Sequence, residues 1–236
     1  MELLGRNKSR VSVLTPVHNT ALELLRKAFD SLRSQSFGFA TIQWVVVFHN
    51  CDQAYVQAAM RMLRGYPNIT CSVVSAEGTG VSYARNATLR LAEGEYIFFL
   101  DADDEMLPSC IERVVAEMDR HGADTAVFKA ECRMRRSVVS HWTDAISNPC
   151  DESVVFERGD PRIGKSMCAS GMTLWTRCYR RDFLRKEKMT FNEGFFYAED
   201  FLFNIQATGM ADKVCVLPEL CGYAYSFGIG MTTGCL

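Results

Sequence analysis

The stretch EYIFFLDADDEM, residues 95–106, runs five uncharged, strand-prone side chains into Asp101, Asp103, Asp104 and Glu105. Carboxylates this close repel one another and resist leaving water. A strand that ends on them needs either a cation or a solvated turn. Alternation along an extended segment points Asp101 and Asp103 to the same side. Two oxygen donors on one side suit Mg2+ or Mn2+, which take carboxylates together with waters and phosphate oxygens. The chemistry this suggests is the handling of a diphosphate by a divalent cation. In the bland alternative the aspartates form a solvated turn and Asp104 helps to cap the next helix. A second acidic pair, Glu199 and Asp200 in FYAEDFLFN (196–204), falls at a helix start. There the helix dipole alone favours a carboxylate.

The elements that must position these groups alternate through the first half of the chain. RVSVLTP is a short β-branched strand stopped by Pro16, and IQWVVVF is a continuous apolar run, as for a strand covered on both faces. NITCSVVS and EYIFFL supply two further strands. Between them, TALELLRKAFDSLRSQ, QAYVQAAMRMLRG and GVSYARNATLRLAEG carry helical spacing, the last opening at glycine and closing at Gly94. This order predicts a mainly parallel sheet with helices on both faces, whose ligands bind beyond the carboxyl ends of the strands. The Asp101 turn sits at such an end. Next come a helix over PSCIERVVAEMDRHG, with Pro108 in its first turn and Gly122 at its end, and a strand over ADTAVFKAECRM. From about 135 to 170 the pattern weakens, and SNPCDES and ERGDPRIGKS read as loops. A helix over AEDFLFNIQATG and one or two strands over KVCVLPELCGYAYSFG close the chain. We expect one domain over 1–236.

Composition excludes several classes. A net charge of −2 over 236 residues gives no general pull towards nucleic acid. The ten cysteines include no Cys-x-x-Cys pair and no zinc spacing, so they are read as free thiols of a reducing cytosol. MELLGRNKSR lacks the apolar core of a signal peptide, and no apolar run approaches the roughly 20 residues of a membrane span. The expectation is a cytoplasmic protein. Contact with the inner membrane surface stays open through the basic run RCYRRDFLRKEK, read either as a solvated helix face or as a patch for a lipid head group or lipid-diphosphate. Trp175 is either a core residue or a platform for an acceptor sugar.

Taken in order, VSVLTPVHN (11–19), GVSYARN (80–86), GEYIFFLDADD (94–104) and FYAEDFLFN (196–204) resemble the inverting nucleotide-sugar glycosyltransferases of family 2, with a GT-A fold. The resemblance runs from about 11 to 225 and is weakest at 130–170. It implies a Rossmann-like, mostly parallel mixed sheet, with about 10–104 binding the nucleotide and about 105–236 the acceptor. It assigns Pro16, His18 and Asn19 to the nucleotide pocket, and Arg85 and Asn86 to a helix packed beside the nucleotide. Asp103 goes to the metal, Mn2+ or Mg2+, Asp101 to the ribose or metal, and Asp200 to the general base. The implied partners are a nucleotide-sugar donor, a UDP-sugar by preference, and a saccharide or lipid-linked acceptor in surface polysaccharide synthesis.

The chain departs from that pattern twice. Family members often read VDDGSTD after the second strand, where this chain reads VVFHNCDQ. Phe48 and His49 replace the acidic pair, leaving Asn50 to meet a pyrimidine edge and the donor base open. The tail YAYSFGIGMTTG lacks the basic or His residue that reaches the diphosphate, which turns attention to Arg177, Arg180 and Arg181. These departures keep alive a non-catalytic nucleotide- or sugar-binding relative of the same fold. A nucleotidyltransferase is disfavoured, because TPVHNTALE has no glycine-rich basic loop.

Overall fold

The computed structural model describes residues 9–76, 80–134, 137–141, 153–163, 173–195 and 197–226. Four strands, β1 (Val11–Val17), β2 (Ile42–His49), β3 (Ile69–Val74) and β4 (Tyr96–Phe99), lie parallel in the order β3-β2-β1-β4. Between them run α1 (Leu22–Arg33), α2 (Gln53–Met62) and α3 (Val81–Leu91). Then come β5 (Glu105–Met106), α4 (Cys110–His121), β6 (Thr125–Met134), β7 (Ser137–His141), β8 (Val154–Glu157) and β9 (Arg177–Arg180). The series ends with α5 (Arg181–Lys186), α6 (Glu199–Met210) and β10 (Lys213–Ser226). The sheet continues from β4 through β9, β6 and β10 to β5, with β7 on β6 and β8 on β10. β9 is antiparallel to both β4 and β6, so β6 and β10 run with the first four strands. All ten strands of the described chain belong to one mixed, mostly parallel sheet, as the alternation predicts.

Apolar residues coat both faces of this sheet. Along β2, Trp44, Val46 and Phe48 join a core with Leu25 and Phe29 of α1, Val56 of α2 and Val114 of α4. Val45 and Val47 point the other way, into a core with Ala84 of α3, Phe183 of α5 and Phe203 of α6. A strand buried on both faces has no polar side to alternate with, hence its unbroken run.

Pro16 does not stop β1, which continues to Val17 with Pro16 opposite Val47. Leu14 still accepts from the Leu100 N–H, so Pro16, two residues on, turns its missing N–H to the side where β4 has ended. α4 begins at Cys110, two residues after Pro108, and ends at Gly122 with φ of 63°, a conformation that glycine adopts at least cost. β7 and β8 occupy the region read as loop; each is short and completes its hydrogen bonds only by pairing with β6 or β10. The final segment is one strand rather than two, with register irregularities between Leu217 and Cys221 around Pro218. Among the described residues no helix is long and apolar enough to cross a membrane. Gly228 and Gly230 of the tail lie outside the described residues.

Gly94 lets the α3–β4 connection press on β1. Its N–H donates to Ser12 Oγ at 2.8 Å, and a Cβ there would fall 2.4 Å from the Ser12 nitrogen and 2.5 Å from the Val11 carbonyl carbon. Backbone of an inner strand cannot yield, so Gly94→Ala is expected to destabilise the fold by about 1–3 kcal/mol. Urea unfolding would register this as a lower midpoint at unchanged m-value.

Candidate active site

β4 ends opposite Leu14, whereas β1 and β2 run on to Val17 and His49. The step this leaves at the carboxyl edge of the sheet receives the 101–104 turn. Asp101 and Asp103 are partly exposed there, while Asp104 is buried, only 1% exposed. Asp104 therefore neither faces solvent nor caps α4: its carboxylate accepts from the Tyr223 hydroxyl at 2.8 Å and the Ser226 N–H at 2.7 Å.

Arg85 gathers the rest. α3, which follows Gly80 at its N-cap, buries the Arg85 guanidinium, whose Nη1 donates to Glu199 and whose Nη2 lies 3.8 Å from Asp101 Oδ1. The same guanidinium sits over the Phe191 ring, 5.6 Å from its centroid. Glu199 is thus more than a first-turn residue of α6; it ties that helix to α3, and Asp200 follows it at the helix N-terminus. Asn86 secures the approach to α6. Its amide donates to the Phe191 carbonyl and to Glu193, and accepts from the Phe191 N–H, all at 2.8–2.9 Å.

Negative charge is in excess here. Asp101, Asp103, Asp104, Glu199 and Asp200 face the cations of Arg85 and Arg177. Burial raises Asp101 above the ordinary carboxylate range, with Asp103 and Glu199 pushing the same way and Arg85 opposing. Burial likewise raises Asp103, and holds Asp104 well above its usual value with help from Asp101 and Asp103. Asp200 is raised by burial, then by Glu199 and Asp101, against Arg85. Among the described residues no three His, Cys, Asp or Glu side chains converge as a protein cage for a metal. The donor chemistry fits a hard divalent cation on the Asp101 and Asp103 carboxylates that completes its shell with water and ligand oxygens.

The loops after β1 and β2 form the other wall. Asn19 and Asn50 both adopt left-handed backbone, φ 46° and 49°, which Asn tolerates better than most residues. Asn19 Oδ1 accepts from the Asp52 N–H at 3.0 Å, and His18 Nδ1 donates to the His49 carbonyl at 2.8 Å. Both ends of the Asn50 amide meet Ala76: Nδ2 donates to its carbonyl at 3.2 Å and Oδ1 accepts from its N–H at 3.1 Å. The amide assigned above to a pyrimidine edge is therefore engaged in closing the β2–β3 crevice. His49 is buried beside Tyr83, ring centroids 5.7 Å apart, and burial lowers its pKa.

Register sorts the arginines proposed for the diphosphate. Arg180 lies opposite Tyr96 at the amino end of β4, paired with Glu95 at 2.7 Å, and the Arg181 N–H donates to the Glu95 carbonyl. Both are at the wrong end of the sheet. Arg177, three residues earlier on an antiparallel strand, comes to the ligand edge, buried where Asp200 acts on its charge. Of the basic run only Arg185, Lys186 and Lys188 are exposed cations. Trp175 is core, stacked at 4.7 Å on Tyr223 and at 5.4 Å on Tyr225. The roles of Tyr223, Asp104 and Glu199 escaped sequence reading, since nothing local links them to the aspartates.

A family model described as "Glycosyl transferase family 2" matches residues 12–198, most of the chain and all of the site just described except Glu199, Asp200 and the last strand. The chain belongs to glycosyl transferase family 2. Within it, the chain is 25% identical over 215 residues to the poly(ribitol-phosphate) beta-N-acetylglucosaminyltransferase TarS of Staphylococcus aureus, covering 91% of this chain and 35% of that protein. The crystal structure of S. aureus TarS 1–349 in complex with UDP-GlcNAc superposes with a TM-score of 0.78 at 24% identity, over 96% of this chain and 61% of that one. The mannosyltransferase PcManGT of Pyrobaculum calidifontis, in complex with GDP-Man and Mn2+, matches with a TM-score of 0.61 at 17% identity, over 94% and 57% of the two chains. These likenesses establish the GT-A fold. This family 2 chain spans 35% to 57% of the length of the curated relatives it matches first.

Proposed function

We propose that this chain is an inverting, metal-dependent glycosyltransferase that moves a sugar from a UDP-sugar to a hydroxyl of a saccharide or lipid-linked acceptor in surface polysaccharide synthesis, at the cytoplasmic side of the membrane. One observation carries this reading. Arg85 draws Asp101, at the carboxyl edge of the sheet, and Glu199, beside Asp200 on α6, to a single guanidinium. Residues a hundred positions apart are thereby set around one point, with an acidic turn on one side and a raised carboxylate on the other.

In this reading about 10–104 holds the nucleotide and about 105–236 the acceptor. Pro16, His18, Asn19 and Asn50 shape the nucleotide wall, and Asp101 and Asp103 hold Mn2+ or Mg2+. The cation supplies neutralisation of the leaving diphosphate. Asp200 takes the proton from the acceptor hydroxyl, which attacks the anomeric carbon from the face opposite the departing diphosphate and so inverts it. Burial already raises Asp200, as suits a base that works near neutral pH. Arg177 adds positive charge close to that carboxylate. The crystallisation of the S. aureus relative with UDP-GlcNAc favours a uridine donor.

Aromatic rings mark where an acceptor would lie. Phe195, Tyr197 and Phe201, which flank Asp200 in sequence, are all exposed, Tyr197 by 77%. Flat apolar rings beside a base give the carbon face of a sugar something to stack on. Tyr197→Ala is expected to raise the acceptor KM about 3–10-fold, read by initial rates at saturating donor.

The deciding experiment screens UDP-, GDP- and dTDP-sugars for Mn2+-dependent turnover, beside calorimetry of the free nucleotides. Turnover with one donor and an inverted product supports the reading. Tight metal-dependent nucleotide binding with no turnover on any donor or acceptor supports the non-catalytic relative.

A further inference from the structure

One tyrosine holds both ends of the aspartate turn. β10 runs antiparallel to β5, with Tyr223 opposite Met106 and Ala224 opposite Glu105. This brings Tyr223, fully buried, under the 101–104 turn. Its hydroxyl accepts from the Asp101 N–H at 3.1 Å and donates to Asp104 Oδ2 at 2.8 Å. The other Asp104 oxygen accepts from the Ser226 N–H at 2.7 Å. Both oxygens of Asp104 are thus committed to β10, which leaves Asp101 and Asp103 to face outward. The ring itself has little freedom. It stacks on Trp175 with planes 15° apart, and Gly222 beside it packs so tightly that a Cβ would fall 2.5 Å from Cys110 Sγ.

Three carboxylates in four residues push one another apart, so a free turn would splay towards water. We propose that Tyr223 is a positioning residue for the divalent cation: by clamping the first N–H and the last carboxylate of the turn, it presents Asp101 and Asp103 together before any ion arrives. The fold carries the cost of gathering the charges, and the ion then meets donors already in place. Groups that orient metal ligands from behind typically contribute 10–100-fold to metal affinity. This inference rests on the metal-dependent reading above.

Tyr223→Phe keeps the ring and its stacking and deletes only the hydroxyl. Tyr96→Phe is the matched control. Tyr96 is also fully buried, and its hydroxyl bonds Asp119 at the amino end of the sheet, away from the site. In calorimetry of UDP at graded Mn2+, the Tyr223→Phe midpoint should shift to about 10–100-fold higher Mn2+, while Tyr96→Phe keeps the wild-type midpoint. Hydrogen exchange at the Asp101 amide should quicken in Tyr223→Phe alone. A wild-type Mn2+ midpoint in Tyr223→Phe, or an equal shift in Tyr96→Phe, overturns the proposal. Should Tyr223→Phe fail to fold, Asp104→Ala tests the same clamp, since it removes the acceptor of the Tyr223 hydroxyl altogether, and the same midpoint shift is required. If Mn2+ leaves UDP binding to the wild-type protein unchanged, the metal-dependent reading itself fails, whereas a quickened Asp101 amide would still report the clamp.

Discussion

Asp200→Asn is expected to lower kcat by about 10²–10⁴ and to leave the donor KM nearly unmoved. Asn keeps the size of Asp and its place at the start of α6, but it cannot take a proton. Its Oδ1 can still accept from the Phe201 N–H, the 2.8 Å bond that Asp200 makes in the structure, so the helix start survives. The lost interaction operates only as the acceptor hydroxyl loses its proton, and so appears in kcat. The sign of the pH dependence follows from the direction of the shift. The base must be ionised, and burial raises its pKa, so wild-type kcat should fall on acidification with a midpoint above the ordinary carboxylate range. That acidic limb should vanish in Asp200→Asn. Rates across pH 4–8 for both proteins check it; an unchanged limb in the variant would move the base elsewhere. Glu199→Gln gives a different signature, because Glu199 holds Arg85 rather than the acceptor. It loosens the link between α3 and α6, and both kcat and stability should drop.

Asp103→Ala should abolish the strengthening of UDP binding by Mn2+. Asp101 and Asp103 are the outward pair of the turn, and Asp104 has no oxygen to spare for an ion. Removing one of two protein donors leaves a single carboxylate already drawn towards Arg85. Calorimetry with and without Mn2+ reads this directly, and equal strengthening in the variant would relocate the metal. Chelation with EDTA should stop turnover and spare the circular dichroism spectrum. The turn is held by Tyr223 and Ser226, and the two apolar cores lie along the sheet faces, so no ion is needed for the fold.

Much of this was written in local pattern. The unbroken apolar run of β2 announced a strand buried on both faces, and the alternation of strands with helices announced parallel neighbours. The same logic placed the Asp101 turn at a carboxyl end and Asp200 at a helix start. These features follow from periodicities of two and 3.6 residues, which a sequence displays directly. β7 and β8 were less visible, because each is a short strand defined by its partner more than by its own composition.

What tertiary structure decided was which distant groups meet. β9 runs against its neighbours, and that one reversal brings Arg177 to the site and carries Arg180 and Arg181 to the opposite end. Strand direction is set by pairing across the sheet, and the composition of RCYR does not reveal it. The ion pair of Arg85 with Glu199 spans 114 positions, and the bond of Tyr223 to the Asp101 N–H spans 122. Each depends on the register between elements that share no local signal. The sequence by itself supplied the strands, the helices and the acidic turn; packing of α6 against α3, and of β10 against β5, set the charges facing one another.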